Sequence, residues 1–230
     1  MGVMLRMVES QELVATCELV KSLSEQVLLE QMIERSKPPA PVLEEGLQYL
    51  LYTPFRYPPL KHGSRFGRRH EPSLFYAAKT ERTLLYECAY YRFVFWSAMT
   101  IPPRHPILTQ HTQFTASYAG MGFRLQDHPF VNYRHVLRDP CKYDATQSLG
   151  TAMRKVGVQV FEYESARDPD AGLNVGLFTP EALISKKPSN LNGWLCQLTD
   201  TRVVFSDKRN QIYEFDISQF QFNGTLPRPA

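Results

Sequence analysis

The sequence lacks the features that mark several common functional classes. No pair among its six histidines has the spacing of a zinc motif, and its four cysteines form no Cys-x-x-Cys pair or disulfide-like framework. No Gly-x-Gly-x-x-Gly turn follows a strand-like segment, and no Gly-x-Ser-x-Gly elbow is present. These absences argue against a metal site, a Rossmann cofactor site and a nucleophile elbow.

Nothing in the chain has the pattern of a membrane span or a signal peptide. The longest apolar run, around residues 93–99, is too short to cross a bilayer. The N-terminus carries acidic residues by position 9 and lacks the apolar centre of a signal peptide. Because the cysteines show no disulfide pattern, a reducing compartment fits best. We therefore expect a soluble, cytoplasmic protein that does not bind membranes.

The chain does contain enough apolar material for one large core. Of its 230 residues, 43% are hydrophobic and 12% are aromatic. The net charge is only +3, but five cationic residues fall within fourteen positions: Arg56, Lys61, Arg65, Arg68 and Arg69. Such a local concentration of positive charge could meet phosphate groups.

The apolar pattern divides the chain near residue 46. Residues 10–36 have helical spacing, with Ser10 as the expected N-cap, and Pro38, Pro39 and Pro41 end the pattern. We expect residues 1–45 to form an N-terminal helical extension and residues 46–230 to form the main domain. The extension would be either a packing element of that domain or a separate partner-binding arm.

The main domain mixes strand and helix patterns. Thr80 has the sequence of an N-cap for a helix of about fifteen residues. A second helix is predicted over residues 144–156, whereas residues 107–142 look irregular. Strands are predicted at residues 47–57, 74–78, 156–163 and 173–178, and as a closing hairpin at 202–205 and 212–215. The fold class is therefore α+β.

A glutamate and two arginines are the first candidates for a site. Glu87 falls at the edge of the apolar stripe of its helix, so its carboxylate would either face a cleft or pair with Arg92. Arg56 and Arg65 lie in loop-like sequence, and arginine offers a planar fork for phosphate oxygens. Gly63 and Gly67 flank Arg65, which indicates a tight loop.

Two tyrosines and a serine complete the candidate set. Tyr57 and Tyr76 could stack on a base or a nicotinamide ring, or they could simply belong to the core. Ser165 follows a predicted strand and precedes an ordinary turn. Because no nucleophile elbow surrounds it, we expect Ser165 to form hydrogen bonds rather than a covalent intermediate.

Taken together, residues 47–217 resemble the RES-domain family, named for its Arg, Glu and Ser. The resemblance rests on Arg65-Phe66, Leu74-Phe75-Tyr76-Ala77-Ala78, Glu87, Tyr163-Glu164-Ser165-Ala166-Arg167, Asn174-Val175-Gly176-Leu177-Phe178 and the closing hairpin. It implies a fold similar to ADP-ribosyltransferase toxins, with a mixed β core and flanking helices. It also implies a bacterial toxin that consumes NAD as its substrate, without a metal or other cofactor, and is neutralised by a Xre-type helix-turn-helix antitoxin.

The resemblance assigns roles to the six candidate residues. Glu87, Arg65 and Ser165 would be catalytic, and Arg56, Tyr57 and Tyr76 would bind NAD. One departure is Gly67 followed by Arg68-Arg69, where the family often has Asn after the Arg-Phe pair.

The resemblance implies an enzyme that cleaves the nicotinamide–ribose bond and leaves the acceptor open. Water would make it an NAD glycohydrolase, inorganic phosphate an NAD phosphorylase, and a protein side chain an ADP-ribosyltransferase. A homodimer is also left open.

Two other classes compete with the enzyme. Aromatic and basic residues interleave at Phe55-Arg56-Tyr57 and Arg65–Arg69, as they do in modules that bind single-stranded nucleic acid. The low net charge argues against direct binding to nucleic acid. The other alternative is a non-catalytic interaction protein that docks through its N-terminal helix.

Overall fold

The computed structural model describes residues 1–10, 20–38 and 46–228, which build one nine-stranded sheet with helices on its faces. The strand order is β4-β5-β6-β2-β1-β3-β7-β8-β9, and every pair is antiparallel except β4–β5. The strands are β1 (Gly2–Glu9), β2 (Phe75–Ala78), β3 (Ile107–Tyr118), β4 (Gly122–Arg124), β5 (Val160–Glu164), β6 (Leu173–Leu177), β7 (Ser189–Leu198), β8 (Arg202–Asp207) and β9 (Ile212–Asp216). The helices are α1 (Leu23–Ser36), α2 (Tyr49–Arg56), α3 (Glu81–Ser97), α4 (Arg134–Leu137) and α5 (Asp144–Lys155). The predicted α+β class is confirmed.

The first strand overturns the helical description of residues 1–45. Strand β1 lies in the middle of the sheet and pairs along its whole length with β3, from Gly2 opposite Tyr118 to Glu9 opposite His111. A boundary at residue 46 would therefore cut a central strand away from its neighbours. The strand suits this central position because Met4 and Val8 pack in the core cluster on one face of the sheet, and Met7 packs in the cluster on the other face.

The predicted N-terminal helix is confirmed only over its second half. Helix α1 begins at Leu23, because the Ser22 hydroxyl accepts a hydrogen bond from the backbone N–H of Glu25 at 3.2 Å. Ser10 is not the N-cap, since its own N–H continues the ladder to the carbonyl of Gln110. The helix ends at Ser36 as predicted. Residues 11–19, Pro39 and Pro41 lie outside the described residues.

The predicted strand at residues 47–57 is wrong, because this segment forms helix α2. The Gln48 side chain accepts from the N–H of Leu50 and caps the helix. Leu47, Leu51 and Phe55 recur at helical spacing and pack on the core face that β1, β2 and β3 share. Pro54 is tolerated because the helix is short and loses only one backbone hydrogen bond to it.

Helix α3 is confirmed, with Thr80 as its N-cap. Its fully buried face carries Leu85, Ala89 and Phe93, which pack against β7, β8 and the end of the chain. Leu84 and Cys88, on another face, line a cavity described below. The helix therefore separates the core from that cavity.

The C-terminal half follows the prediction in most places. Helix α5, strand β6 and the β8–β9 hairpin are confirmed, and β5 ends at Glu164 directly before Ser165. The interpretation of residues 107–142 as irregular is wrong at its start, where β3 is a twelve-residue strand. The Thr, Gln and His side chains of β3 interrupt the alternation of apolar and polar residues that would have indicated a strand. Strand β7 was not predicted at all.

Candidate active site

The candidate site lies where β1 and β2 separate, beside helix α3. These two strands share a single paired position, Leu5 with Ala78, so the sheet opens next to it. The opening leads into a cavity of about 420 Å³, a volume within the range of small-molecule sites. Six charged residues line it: Arg6, Arg65, Arg92, Arg167, Glu9 and Glu87. Four guanidinium groups and two carboxylates give the cavity a positive balance.

The carboxylate of Glu87 is held by two hydrogen bonds to one of its oxygens. The Ser165 hydroxyl donates to Oε1 at 2.6 Å, and the Asn174 amide donates to the same oxygen at 2.7 Å. Both partners come from strands on the other side of β2 from β1: Ser165 follows β5 and Asn174 lies on β6. The arrangement fixes one oxygen of Glu87, and the other carries no side-chain partner among the described residues. The alternative of a pair with Arg92 is wrong, because Arg92 binds Glu9.

Ser165 is fully buried and is absent from the cavity lining. Its hydroxyl accepts from the backbone N–H groups of Arg167 and Asp168, both at 3.0 Å, while it donates to Glu87. A serine hydroxyl offers one donor and two acceptor positions, so all three are in use. Ser165 therefore orients Glu87 and has no free position for a substrate.

Arg65 lies in a tight loop that β2 holds in place. Gly63 has a φ of +72°, and a Cβ there would lie 2.4 Å from the carbonyl of Gly67, so the loop needs a glycine. The Tyr76 hydroxyl bonds to the Ser64 hydroxyl at 2.9 Å and accepts from the N–H of Phe66 at 3.1 Å. Burial raises the pKa of Tyr76 to about 12. Tyr76 lines the cavity, and its hydroxyl is committed to positioning the Arg65 loop.

Two buried arginines meet around Tyr143 at this end of the cavity. The Arg65 guanidinium lies over the Tyr143 ring at 4.5 Å, and Arg167 donates to the Tyr143 hydroxyl at 3.0 Å. Burial opposes the charge of Arg167, yet the neighbouring Tyr143, Tyr90 and Glu87 give its pKa a net increase. Neither guanidinium forms an ion pair within the described part of the chain. Two buried cations without a carboxylate are a favourable setting for an anion.

The opposite side of the cavity is built by β1, β3 and the later turns of α3. Arg92 forms an ion pair with Glu9 at 3.0 Å, and Arg6 donates to the carbonyl of Tyr76. His111 lies nearby with its ring nitrogen 2.8 Å from the Thr109 hydroxyl. Burial and the charge of Arg92 lower the pKa of His111 to about 4, so this histidine is neutral at physiological pH.

The remaining two predicted residues, Tyr57 and Arg56, do not line the main cavity. Tyr57 lines an adjoining cleft of about 320 Å³ that shares Arg6, Ser64, Tyr76 and Tyr91 with the main cavity. Arg56 lines neither space. Its Nε donates to the carbonyl of Pro38 at 2.6 Å and its Nη1 to Glu34 at 2.9 Å. Arg56 and Arg65 are therefore committed to different parts of the molecule.

Several cavity residues were absent from the predicted set, and three of them bear on what the sequence could have shown. Arg6 stands alone as a charge within the apolar run Val3–Val8, which is an unusual place for an arginine and could have marked it. Arg167 and Asn174 fall inside motifs that supported the family resemblance, two residues after Ser165 and at the start of β6. Only the packing of the strands shows that the three residues line the same cavity as Glu87.

The fold and cavity describe an α+β domain with a cationic, ligand-sized site centred on one glutamate. The RES domain matches residues 41–198, which is more than half of the chain. The chain therefore belongs to the RES-domain family, as its sequence predicted. The family's context is that of toxins with NAD-acting, enzyme-like domains. No curated protein matches the chain.

Two further observations concern ligands and membranes. Among the described residues, no group of three or more His, Cys, Asp or Glu side chains could hold a metal ion. In the same part of the chain, no helix is long and apolar enough to cross a bilayer.

Proposed function

We propose that the protein degrades NAD by breaking the bond between nicotinamide and ribose. The observation that carries this proposal is the carboxylate of Glu87, fixed by Ser165 and Asn174 in a cavity with four guanidinium groups. A carboxylate held this way is suited to stabilise positive charge that develops on a bound sugar. Membership in an NAD-acting family supports the same substrate.

To cleave this bond, the protein has mainly to hold the substrate in position and stabilise the charge that develops on it. Nicotinamide in NAD is cationic, so when the C1′–N bond breaks its electron pair neutralises the ring without a general acid. The ribose then has oxocarbenium character, and the free oxygen of Glu87 would face that charge. Ser165 and Asn174 would hold Glu87 in the required orientation before the substrate arrives.

The pyrophosphate of NAD would bind at Arg65 and Arg167. Both guanidinium groups are buried, both contact Tyr143, and neither has a carboxylate partner among the described residues. The two charges match the two negative charges of a pyrophosphate. Planar guanidinium groups also suit its oxygens better than ammonium groups would. Tyr57, in the adjoining cleft, could stack on a base of the dinucleotide.

The acceptor of the ADP-ribosyl group separates three activities. Water would give ADP-ribose, inorganic phosphate would give a phosphorylated ADP-ribose, and a protein side chain would give ADP-ribosylated protein. A Xre-type antitoxin is the proposed partner, in line with the toxin context of the family. Half-exposed Tyr91, which lines both the cavity and the adjoining cleft, offers apolar surface where such a partner could cover the site.

The test is incubation of the purified full chain with NAD, with and without inorganic phosphate, followed by mass analysis of the products. We expect free nicotinamide together with one of the three ADP-ribosyl products. Intact NAD after prolonged incubation of folded, antitoxin-free protein would contradict the proposal.

A further inference from the structure

The side of the cavity built by Arg6 and Arg92 has buried hydrogen-bond donors that have no partner in the part of the chain that the structure describes. At this cavity, the buried guanidinium nitrogens without a hydrogen-bond partner among the described residues are Nε of Arg6 and both Nε and Nη2 of Arg92. Nε of Arg68 and Nε of Arg154 are also unpaired, but these two residues do not line the cavity. Both side chains line the same cavity as Glu87. Because buried donors are normally paired, unpaired donors in a cavity point to a ligand that supplies acceptors.

The unused donors of Arg92 have the geometry of a fork. Glu9 binds Nη1 at 3.0 Å and so fixes the orientation of the guanidinium plane. The Nε–H and Nη2–H groups then point in parallel from one edge of that plane, and the side chain is only 12% exposed. Two parallel donors on one edge match two oxygens of a phosphate or carboxylate.

Arg6 adds a second charge beside that fork. Its Nη1 is committed to the carbonyl of Tyr76 and its guanidinium lies 4.7 Å from the Phe75 ring centre, which leaves Nε free. Burial lowers the pKa of Arg6 to about 10, so it stays charged at neutral pH without an ion-pair partner in the described residues. Arg6 and Arg92 both act electrostatically on the thiol of Cys88, which places them around the same wall.

These two arginines and the pair at Tyr143 make different contacts. Arg92 is five residues beyond Glu87 on α3, or about 7.5 Å along the helix axis. Arg65 and Arg167 surround Tyr143 and come from other elements. NAD has a single pyrophosphate, which the Tyr143 pair would hold. The Arg6–Arg92 pair is then left for a different anion.

We propose that Arg92 and Arg6 form a second anion subsite, which binds a phosphate group other than the pyrophosphate of NAD. Two sources share this chemistry: free inorganic phosphate acting as the acceptor, and the 2′-phosphate of NADP acting as a substrate handle. The catalytic meaning of the subsite rests on the proposed NAD cleavage, whereas phosphate binding by Arg92 does not.

With inorganic phosphate, the reaction balances without another reactant. A phosphate oxygen forms a bond to C1′ of the ribose as the C1′–N bond breaks, and the electron pair of that bond goes to the nicotinamide ring. The products are neutral nicotinamide and ADP-ribose 1′-phosphate on the same ribose. No oxidant, reductant or proton donor is required.

The first experiment measures binding of inorganic phosphate to the full chain by calorimetry, without NAD. The test variant is Glu9→Gln/Arg92→Gln, which removes the ion pair and leaves no lone carboxylate. The control is Arg202→Gln/Glu214→Gln, an exposed pair at 2.9 Å on the β8–β9 hairpin. We expect the test variant to bind phosphate at least about tenfold more weakly and the control to bind it normally. Equal phosphate affinity in all three proteins would overturn the subsite.

The second experiment separates the two sources by turnover. If phosphate is the acceptor, the wild type makes phosphorylated ADP-ribose, and the test variant needs at least about tenfold more phosphate, with a larger rise in KM for phosphate than in KM for NAD. If the 2′-phosphate is recognised, the test variant loses NADP turnover selectively over NAD turnover. Unchanged phosphate and NADP kinetics in the test variant would refute both roles. Failure of the wild type to consume either dinucleotide, with phosphate binding lost in the variant, would remove the proposed function and retain the subsite.

Discussion

The cavity has two walls that differ in how their polar groups are used. The closed wall consists of Glu87, Asn174 and Tyr76. Their hydrogen bonds, together with the bond that the buried Ser165 donates to Glu87, fix one carboxylate oxygen and one loop. The open wall consists of Arg6, Arg92 and His111, where guanidinium edges remain unpaired. A fixed carboxylate suits a group that must be in place before reaction, and unpaired cations suit a ligand that arrives with its own charge.

The largest effect should come from the centre of the closed wall. Glu87→Gln keeps the size and the acceptor for Ser165 and Asn174 but removes the negative charge. We expect the rate of NAD cleavage to fall about 10²–10³-fold, because a preorganised group aimed at developing charge typically contributes that much. Product formation by mass spectrometry and the melting temperature are the two measurements.

A matched control for this substitution is Glu214→Gln, which removes an exposed carboxylate on β9. Its turnover should equal that of the wild type. A folded Glu87→Gln protein with full activity would exclude the glutamate from catalysis and would remove the reason for distinguishing the two walls.

Ser165→Ala should have the next largest effect, on both stability and kcat. The buried N–H groups of Arg167 and Asp168 lose their acceptor, which costs about 1–3 kcal/mol for each donor left unsatisfied. Because the serine acts through Glu87, we expect kcat to fall about 10–100-fold while KM for NAD stays constant. Urea unfolding and steady-state kinetics measure the two effects.

Asn174→Ala separates the two consequences of the serine substitution. It removes the other hydrogen bond to the same Glu87 oxygen, and the backbone N–H groups of Arg167 and Asp168 keep their acceptor. It should lower kcat with a smaller loss of stability than Ser165→Ala. A rise in KM with unchanged kcat in Ser165→Ala would mean that the serine contacts the substrate.

A pair of arginine substitutions tests a smaller effect at the edge of the closed wall. Arg65→Lys keeps the charge but removes the planar fork, so we expect KM for NAD to rise about tenfold. Arg56→Lys is the matched variant, since its guanidinium binds Glu34 and Pro38 away from both cavities. Its KM should not change. An equal rise in the KM for NAD in both variants would mean that Arg56 also contributes to NAD binding.

The sequence predicted those parts of the site that lie on short motifs. Arg65 between two glycines, Glu87 on a capped helix and Ser165 after a strand all have local signals, and the structure brings them to one region. Arg56 and Arg6 show where prediction from local sequence fails. Arg56 has the right type in the right kind of loop, but Glu34 binds it, and that contact joins residues 22 positions apart.

The same limit explains the misread elements of the fold. Strand β1 reaches the centre of the sheet because it pairs with β3 more than 100 residues later, and no local pattern encodes that pairing. Strand β3 itself carries buried polar residues such as His111 and Gln113, which weaken the apolar alternation. His111 lines the cavity, whereas Gln113 accepts a hydrogen bond from the Trp194 indole. A site residue and a core contact therefore both weaken the apolar pattern of this strand.

The smallest predicted effect concerns His111 on the open wall. Burial, and then the charge of Arg92, lower its pKa to about 4, whereas an unfolded histidine has a pKa near about 6.5. Between these values the unfolded chain binds more protons, so the free energy of unfolding falls as the pH falls. The loss should be about 1 kcal/mol by about pH 6 and about 2 kcal/mol by about pH 5.

Urea unfolding across this pH range, in wild type and His111→Gln, measures the contribution, with exposed His135→Gln as the control. The His111 variant should show a flatter pH dependence, and identical curves for all three proteins would contradict it. Inorganic phosphate sharpens the test. An anion bound at Arg92 offsets the charge that depresses the pKa of His111, so excess phosphate should make the wild-type curve shallower. The same addition should leave the Glu9→Gln/Arg92→Gln curve unchanged, because that variant lacks both the depressing charge and the proposed phosphate fork.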